Sequence, residues 1–215
     1  MKISTISCFL LLTASFSLIN AQKSYLIEEY ESNIQDVINA KDIVYYGIDF
    51  SKTVLTDRSI FLDNEKSRKY YASWIAYFET LIKPEDIVVK LLKKKDNIRY
   101  NPVSVQQRYL GFKHKWISAS DYSFNIDTLK SVVKSYQLKE SSGLGFVINV
   151  ENFNKESSYL TVYFTFFNIS SRDILWSVKI KGKPGGDGVS STWAEGIYNS
   201  LMIYIKKVYE KKTDT

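Results

Sequence analysis

The chain has 215 residues, 29 of them lysine or arginine against 23 aspartate or glutamate, for a formal charge of +6. A single cysteine and a single histidine exclude a disulfide framework and argue against a histidine-based metal site. Aromatic residues at 15%, beside only 3 prolines and 9 glycines, exclude a disordered chain.

The first 22 residues carry the clearest address. Lys2 gives a positive start, Ile6–Ile19 is an apolar run broken by Ser and Thr, and Asn20-Ala21-Gln22 ends it. This is the pattern of a secretory signal peptide over residues 1–21, cleaved after Ala21. The run is too short and too rich in serine to span a bilayer. Cys8 lies inside the run, so no lipidated cysteine is expected at the mature N-terminus. The mature chain, 22–215, then has no thiol nucleophile and loses only the charge of Lys2, which leaves +5. One domain is the expectation for that length.

Ser24–Ala40 reads as a short helix through Leu26, Ile27, Tyr30, Ile34, Val37 and Ile38. Asp42–Leu55 reads as a strand with Ile43, Tyr45 and Gly47 on one side and Val44, Tyr46, Ile48 and Phe50 on the other. Asp63 or Asn64 can cap the next helix, in which Tyr70, Tyr71, Trp74, Tyr77, Phe78, Leu81 and Ile82 recur at helical spacing. Pro84 opens a short helix, Glu85–Leu92, that ends in Lys93-Lys94-Lys95. Asn97–Tyr100 is a short strand, Pro102 starts a helical turn, and Gly111–Tyr122 is aromatic and polar without a clear period. Ile126–Leu138 is a helix through Leu129, Val132, Val133 and Tyr136.

The last third has the most regular pattern. Leu144–Val150, Tyr159–Phe167 and Asp173–Lys181 alternate as strands joined by polar turns. In the third of these, Ile174, Trp176, Val178 and Ile180 face inward, with Leu175, Ser177, Lys179 and Lys181 mostly outward. Ser191–Glu210 is a long amphipathic helix with Trp193, Ile197, Leu201, Tyr204, Ile205 and Val208 on one stripe. The expected fold is a single α/β domain with a mixed, mainly antiparallel sheet and helices packed on it.

Four groups of residues could carry chemistry. The Gly-rich loop before the last helix, with Lys183, Gly185, Gly186, Gly188 and Ser190, could cradle an anion on backbone N–H groups at the helix start. It is neither a P-loop nor a dinucleotide fingerprint, and its plain alternative is a strand-to-helix turn capped by Ser190, Ser191 or Thr192. His114, between Lys113 and Lys115, has no marked serine to serve, so no catalytic residue is assigned to it. Asp49, between Ile48 and Phe50, is either a hydrogen-bonded strand-end carboxylate or the centre of a carboxylate site. Lys90 and Lys93–Lys95, with Arg108, Lys113 and Lys115, could meet anionic lipid headgroups or a glycan, or are simply a solvated helix end; nucleic acid does not suit an exported protein. No cofactor and no metal is expected, and Tyr109, Trp116 and Tyr122 are candidates for a partner surface.

The signal ending in Asn-Ala-Gln, the segment Tyr45-Tyr-Gly-Ile-Asp-Phe50 and the helix led by Trp193 resemble a group of exported Bacteroidetes proteins to which no activity is assigned. More distantly, Asn168–Lys183 and the last helix, with Asp173-Ile-Leu-Trp-Ser177 at their centre, resemble the close of two periplasmic domains. These are the curli-secretion component and the N-terminal domain of the Tol-system propeller protein. The resemblance implies a non-enzymatic role in the envelope through a protein partner or self-association, without the lipidated cysteine of the curli component. A binding module for an anionic small molecule or glycan at 182–192 is the alternative, and a carboxylate-dependent enzyme the third.

Overall fold

Three long strands set the core. In the computed structural model, which describes residues 25–56, 64–92, 98–106, 108–110, 117–118 and 122–209, β6 (Leu144–Asn154), β7 (Tyr159–Asn168) and β8 (Ile174–Gly182) form an antiparallel meander. β1 (Tyr25–Glu31) pairs antiparallel with the free side of β8. On the other side of β6 the pairing turns parallel: first to β2 (Ile43–Asp49), which also pairs with β4 (Ile98–Tyr100), and further along to β3 (Val54–Thr56), which pairs with β5 (Ile117–Ser118). The sheet is open and mixed, in the order β1-β8-β7-β6-β2-β4, with the longest ladders antiparallel.

Helices cover both faces. On one lie α1 (Ile34–Asn39), α2 (Asn64–Leu81), α3 (Pro84–Leu92) and α6 (Val189–Ile203), the last continuing into a π-helical turn, Tyr204–Tyr209. Tyr71, Trp74 and Phe78 of α2 and Trp193, Ile197 and Leu201 of α6 pack there on Phe146, Ile148, Phe153, Val162, Phe164 and Val178. On the other face α4 (Val103–Gln106) contributes Val105, and α5 (Ile126–Lys134) contributes Leu129, Val132 and Val133. The stripe expected for the last helix is buried from Trp193 to Ile205, and the one for α5 likewise. At ~25 cal/mol per Å2 of apolar surface, these aromatic and branched side chains are the main stabilising term. No helix among the described residues is long and apolar enough to cross a membrane.

Four local expectations give way, each for a physical reason. Residues 25–31 form an edge strand rather than the start of a helix, because the outer backbone of β8 has to be paired. Glu29 accepts from Trp176 Nε1 at 2.7 Å, and a one-and-a-half-turn helix, capped by Asn33, follows only from Ile34. The stretch 42–55 is two strands. Within β2 a bulge sets Tyr45 opposite Phe146 but Ile48 opposite Ile148, with Gly47 at φ +79°. The extra residue turns Ile48 and Phe50 onto the face of Ile43 and Tyr45, and Asp49 away from it. A second bulge, at Leu175, puts Ile174 on the opposite face from Trp176. Finally, Ser177 and Lys179 are buried rather than solvated, because the second face is covered too. Lys179 Nζ lies 2.9 Å from Glu151 Oε1.

The signal segment, Cys8, Lys93–Lys95, Lys113, His114, Lys115 and Trp116 lie outside the described residues.

Gly47 is the hinge of the parallel half. A Cβ there would meet the Gln106 carboxamide, whose Oε1 accepts from Ile48 N at 3.2 Å, and the positive φ would strain any other residue. Gly47→Ala is expected to lower the unfolding free energy in urea by about 1–3 kcal/mol.

A second prediction concerns acid. Glu140 ties β2 to the segment after β4, accepting from Tyr46 OH at 2.8 Å and from Asn101 Nδ2 at 2.9 Å. Burial alone would raise its carboxyl, but the Asn101 and Tyr46 hydrogen bonds hold it below the ordinary value. A depressed folded-state pKa contributes stability above the unfolded value, ~4.3, and loses it as pH falls through the folded one. Glu140→Gln should therefore flatten the acid side of the stability–pH profile below pH ~4.3 and lower stability at neutral pH.

Candidate functional site

The Gly-rich loop closes over a cavity. β8 ends at Gly182, the chain turns through 183–188, and α6 begins at Val189 with Gly188 as its cap and no side chain bonded there. The cavity beneath is about 660 Å3 and is lined by Lys183, Pro184, Gly185, Gly186 and Gly188 of the loop. Val189, Thr192 and Trp193 of α6 and Lys155 and Ser158 of the β6–β7 turn complete it. Four of the five loop residues singled out from the sequence thus wall one space. The fifth, Ser190, points elsewhere: its Oγ is 2.6 Å from Ser73 Oγ of α2.

The loop is tightly held. Gly185 N donates to Thr192 O at 2.9 Å, Ser191 Oγ to Gly188 O at 3.2 Å, and Trp74 Nε1 of α2 to Val189 O at 2.8 Å. Gly186 sits at φ +64°, and a Cβ on it would press on Ser191 and Glu195, so the loop can lie this close to α6 only with glycine there. Thr192 N makes the first intrahelical bond, to Gly188 O at 2.8 Å. The N–H groups of Val189, Ser190 and Ser191 are therefore not satisfied inside the helix.

Charge and surface in the cavity are of two kinds. Lys155 and Lys183 are cationic and lie at the solvent edge, and the helix start adds partial positive charge. Pro184, Val189 and the edge of Trp193 are apolar. Val189 is 52% exposed, one of two large exposed hydrophobic side chains among the described residues, whereas Trp193 is anchored on Phe153 at 4.9 Å. The Glu195 carboxylate lies against Gly185 and Gly186 and takes the Tyr77 hydroxyl at 3.3 Å. It does not line the cavity. The sequence reading missed Lys155 and Ser158; the signal available was a lysine in a hairpin turn that alternation places beside the end of β8.

Asp49 is the strand-end carboxylate of the plainer reading. Its Oδ2 takes Tyr136 OH at 2.8 Å and lies 3.3 Å from Arg108 Nη1, and its Oδ1 takes Ser51 N at 2.8 Å. Asn149 Nδ2 donates to Tyr136 OH at 2.6 Å, and Arg108 covers the Tyr136 ring at 4.7 Å. Burial first, and the Asp49 charge second, push the Tyr136 phenol well up. The cluster acts as a tie between β2, β6 and the end of α5. Among the described residues no three of His, Cys, Asp and Glu come together to hold a metal.

Of the aromatic surface candidates, Tyr122 is half-buried with its ring 6.2 Å from Phe124. The backbone of Tyr109 lies in a 3-10 turn, Arg108–Leu110, and its side chain, like all of Trp116, is outside the described residues.

No protein-family model matches the chain, and no curated protein matches it. Among solved structures it is similar to the PelC dodecamer of Paraburkholderia phytofirmans, at 8% identity and a TM-score of 0.32, over 83% of this chain and 94% of that one. A single-substitution variant of the same protein gives 8% identity and a TM-score of 0.31 over the same shares.

The Asp49 cluster predicts a contrast between neighbours. Tyr136→Phe leaves Asp49 and Asn149 each short of a partner and should cost about 1–3 kcal/mol in a urea melt. Ser51→Ala removes a hydroxyl that is buried without a hydrogen bond among the described residues and should leave stability unchanged or slightly raised.

Proposed function

We propose that this chain is an exported, non-enzymatic binding module of the cell envelope, and that its ligand is an anionic small molecule or acidic glycan unit held beneath the 183–188 loop. The observation that carries this is the combination in one cavity: two lysines and a helix start for negative charge, beside Pro184, Val189 and Trp193 for a ring or apolar body. Such a division of labour, apolar walls with a few placed polar groups, is how small-ligand sites obtain both affinity and orientation. Export rests on the first 22 residues of the sequence. A protein-docking role through Tyr122 has less support, because that ring is half-buried against Phe124 and offers no broad exposed face.

Isothermal titration with glucuronate and with a phosphorylated sugar tests the proposal. Both should bind more tightly than their neutral parents and weaken as salt is raised. Lys155→Ala and Lys183→Ala should each reduce affinity roughly fivefold, the value of ~1 kcal/mol for an exposed ion pair. Binding indifferent to salt and to both substitutions would remove the site from consideration.

A further inference from the structure

Across the β6–β7 hairpin from the loop cavity lies a smaller one, of about 220 Å3, between the second half of β6, the ends of β7 and β8, and the segment Tyr122–Ser123. A bulge creates it. The β6–β7 pairing runs Val150 opposite Val162 and then Asn152 opposite Thr161, so Glu151 is the extra residue. Glu151 and Asn152, which a regular strand would send to opposite faces, both line this one cavity.

Both side chains are buried, and Asn152 holds an acceptor without a donor among the described residues. Glu151 is 2% exposed. Its Oε1 takes Lys179 Nζ at 2.9 Å, Phe124 N at 2.8 Å and Ser123 Oγ at 3.2 Å, so its bonds to the protein gather on one oxygen and leave Oε2 for a ligand. Asn152 gives its Nδ2 to Tyr122 O at 2.9 Å, and its Oδ1 is buried with no partner among the described residues. Burial pushes the Glu151 carboxyl above its ordinary value even with Lys179 drawing it down. Asn152 Oδ1 is a buried acceptor left unmade, which is costly, so a ligand that brings a donor would be favoured here.

The charges narrow the ligand further. Lys179 and Lys181 both line the cavity and oppose a cation, and the open oxygen of Glu151 opposes an anion. Tyr122 and Tyr159 supply aromatic wall, the latter with Lys181 Nζ 4.5 Å above its ring. The volume is below the ~300–1,000 Å3 of drug-sized sites and admits a single ring.

We propose that this cavity is a second binding site, for a neutral polyhydroxylated ring such as one sugar unit. Glu151 Oε2 and Asn152 Oδ1 accept from ring hydroxyls, and Lys181 donates to a ring oxygen. The site does not depend on the anionic ligand of the first cavity.

Saturation-transfer NMR of the folded chain with methyl α-glucopyranoside, myo-inositol and methylammonium tests it. At least one neutral ring should be saturated and methylammonium should not. Thr161, like Lys181, lines the cavity, and Thr161→Val and Lys181→Ala should each weaken that binding about fivefold, one hydrogen bond's worth. Lys155→Ala and Lys183→Ala, in the other cavity, should leave it unchanged. Glu151→Gln probes the acceptor itself, with a circular dichroism melt to establish that it folds; should it not fold, the two rim variants decide. Saturation of neither ring, saturation of methylammonium in their place, or a ring signal lost in Lys183→Ala but kept in Lys181→Ala would each overturn the proposal.

Discussion

Strand β6 is buried along its whole length, paired on both edges and covered on both faces, yet its sequence includes Asn149, Glu151, Asn152 and Asn154. A buried polar group without a partner costs more than most single contacts contribute, so these four side chains dictate what surrounds them. Asn149 draws Tyr136 and Asp49 into one hydrogen-bonded knot. Glu151 requires Lys179 in the middle of β8 and the backbone of Phe124 above it. Asn152 donates to the carbonyl of Tyr122, and Asn154 accepts from Ser157 N to shape the hairpin turn. The segment before α5 is therefore fastened to the sheet by polar bonds, while the helices on the opposite face are held by packing.

Both cavities follow from departures from regular geometry at the same end of the molecule. The β6–β7 turn separates them: Lys155 and Ser158 face the loop cavity, Asn154, Ser157 and Tyr159 the smaller one. On one side, glycines let the 183–188 loop approach α6 closely while Trp193 anchors the wall. On the other, the bulge at Glu151 spoils the alternation that would have filled the space with side chains. Strand ends and bulges are where a sheet can leave room without losing its core.

The meander and the last helix were legible because period and burial agree there. In β7, Leu160, Val162, Phe164 and Phe166 lie on one face with Tyr163 and Phe167 on the other, as strict alternation requires. The parallel half was not legible to the same degree. Nothing local marks a glycine as a bulge rather than a strand residue, so alternation alone puts Ile48 and Phe50 on the wrong face. Residues 25–31 carry helical spacing and still form a strand, because the need that decides the matter is the unpaired edge of β8, some 145 positions away. The loop glycines and Lys183 stand out in composition, but a glycine cluster between a strand and a helix reads equally as an anion cradle or as a plain turn.

Lys179 shows what kind of signal was present but unused. A lysine between Val178 and Ile180 reads as the outward residue of a half-exposed strand, and that reading holds only if the second face is solvated. Helix α5, with its own apolar stripe at Leu129, Val132 and Val133, needs a face to cover, and the first face is already taken by α2 and α6. Two amphipathic helices and a third on one sheet therefore imply burial on both sides, and with it a counter-charge for any lysine in the central strands. The run Val150-Glu-Asn-Phe-Asn154 is where that counter-charge lies. Asn149 and Glu151 keep the period of two, but Asn152 directly after Glu151 breaks it, and such a break is itself the mark of a bulge. Taken together, the stranded lysine and the broken alternation locate a polar site inside the sheet without any motif.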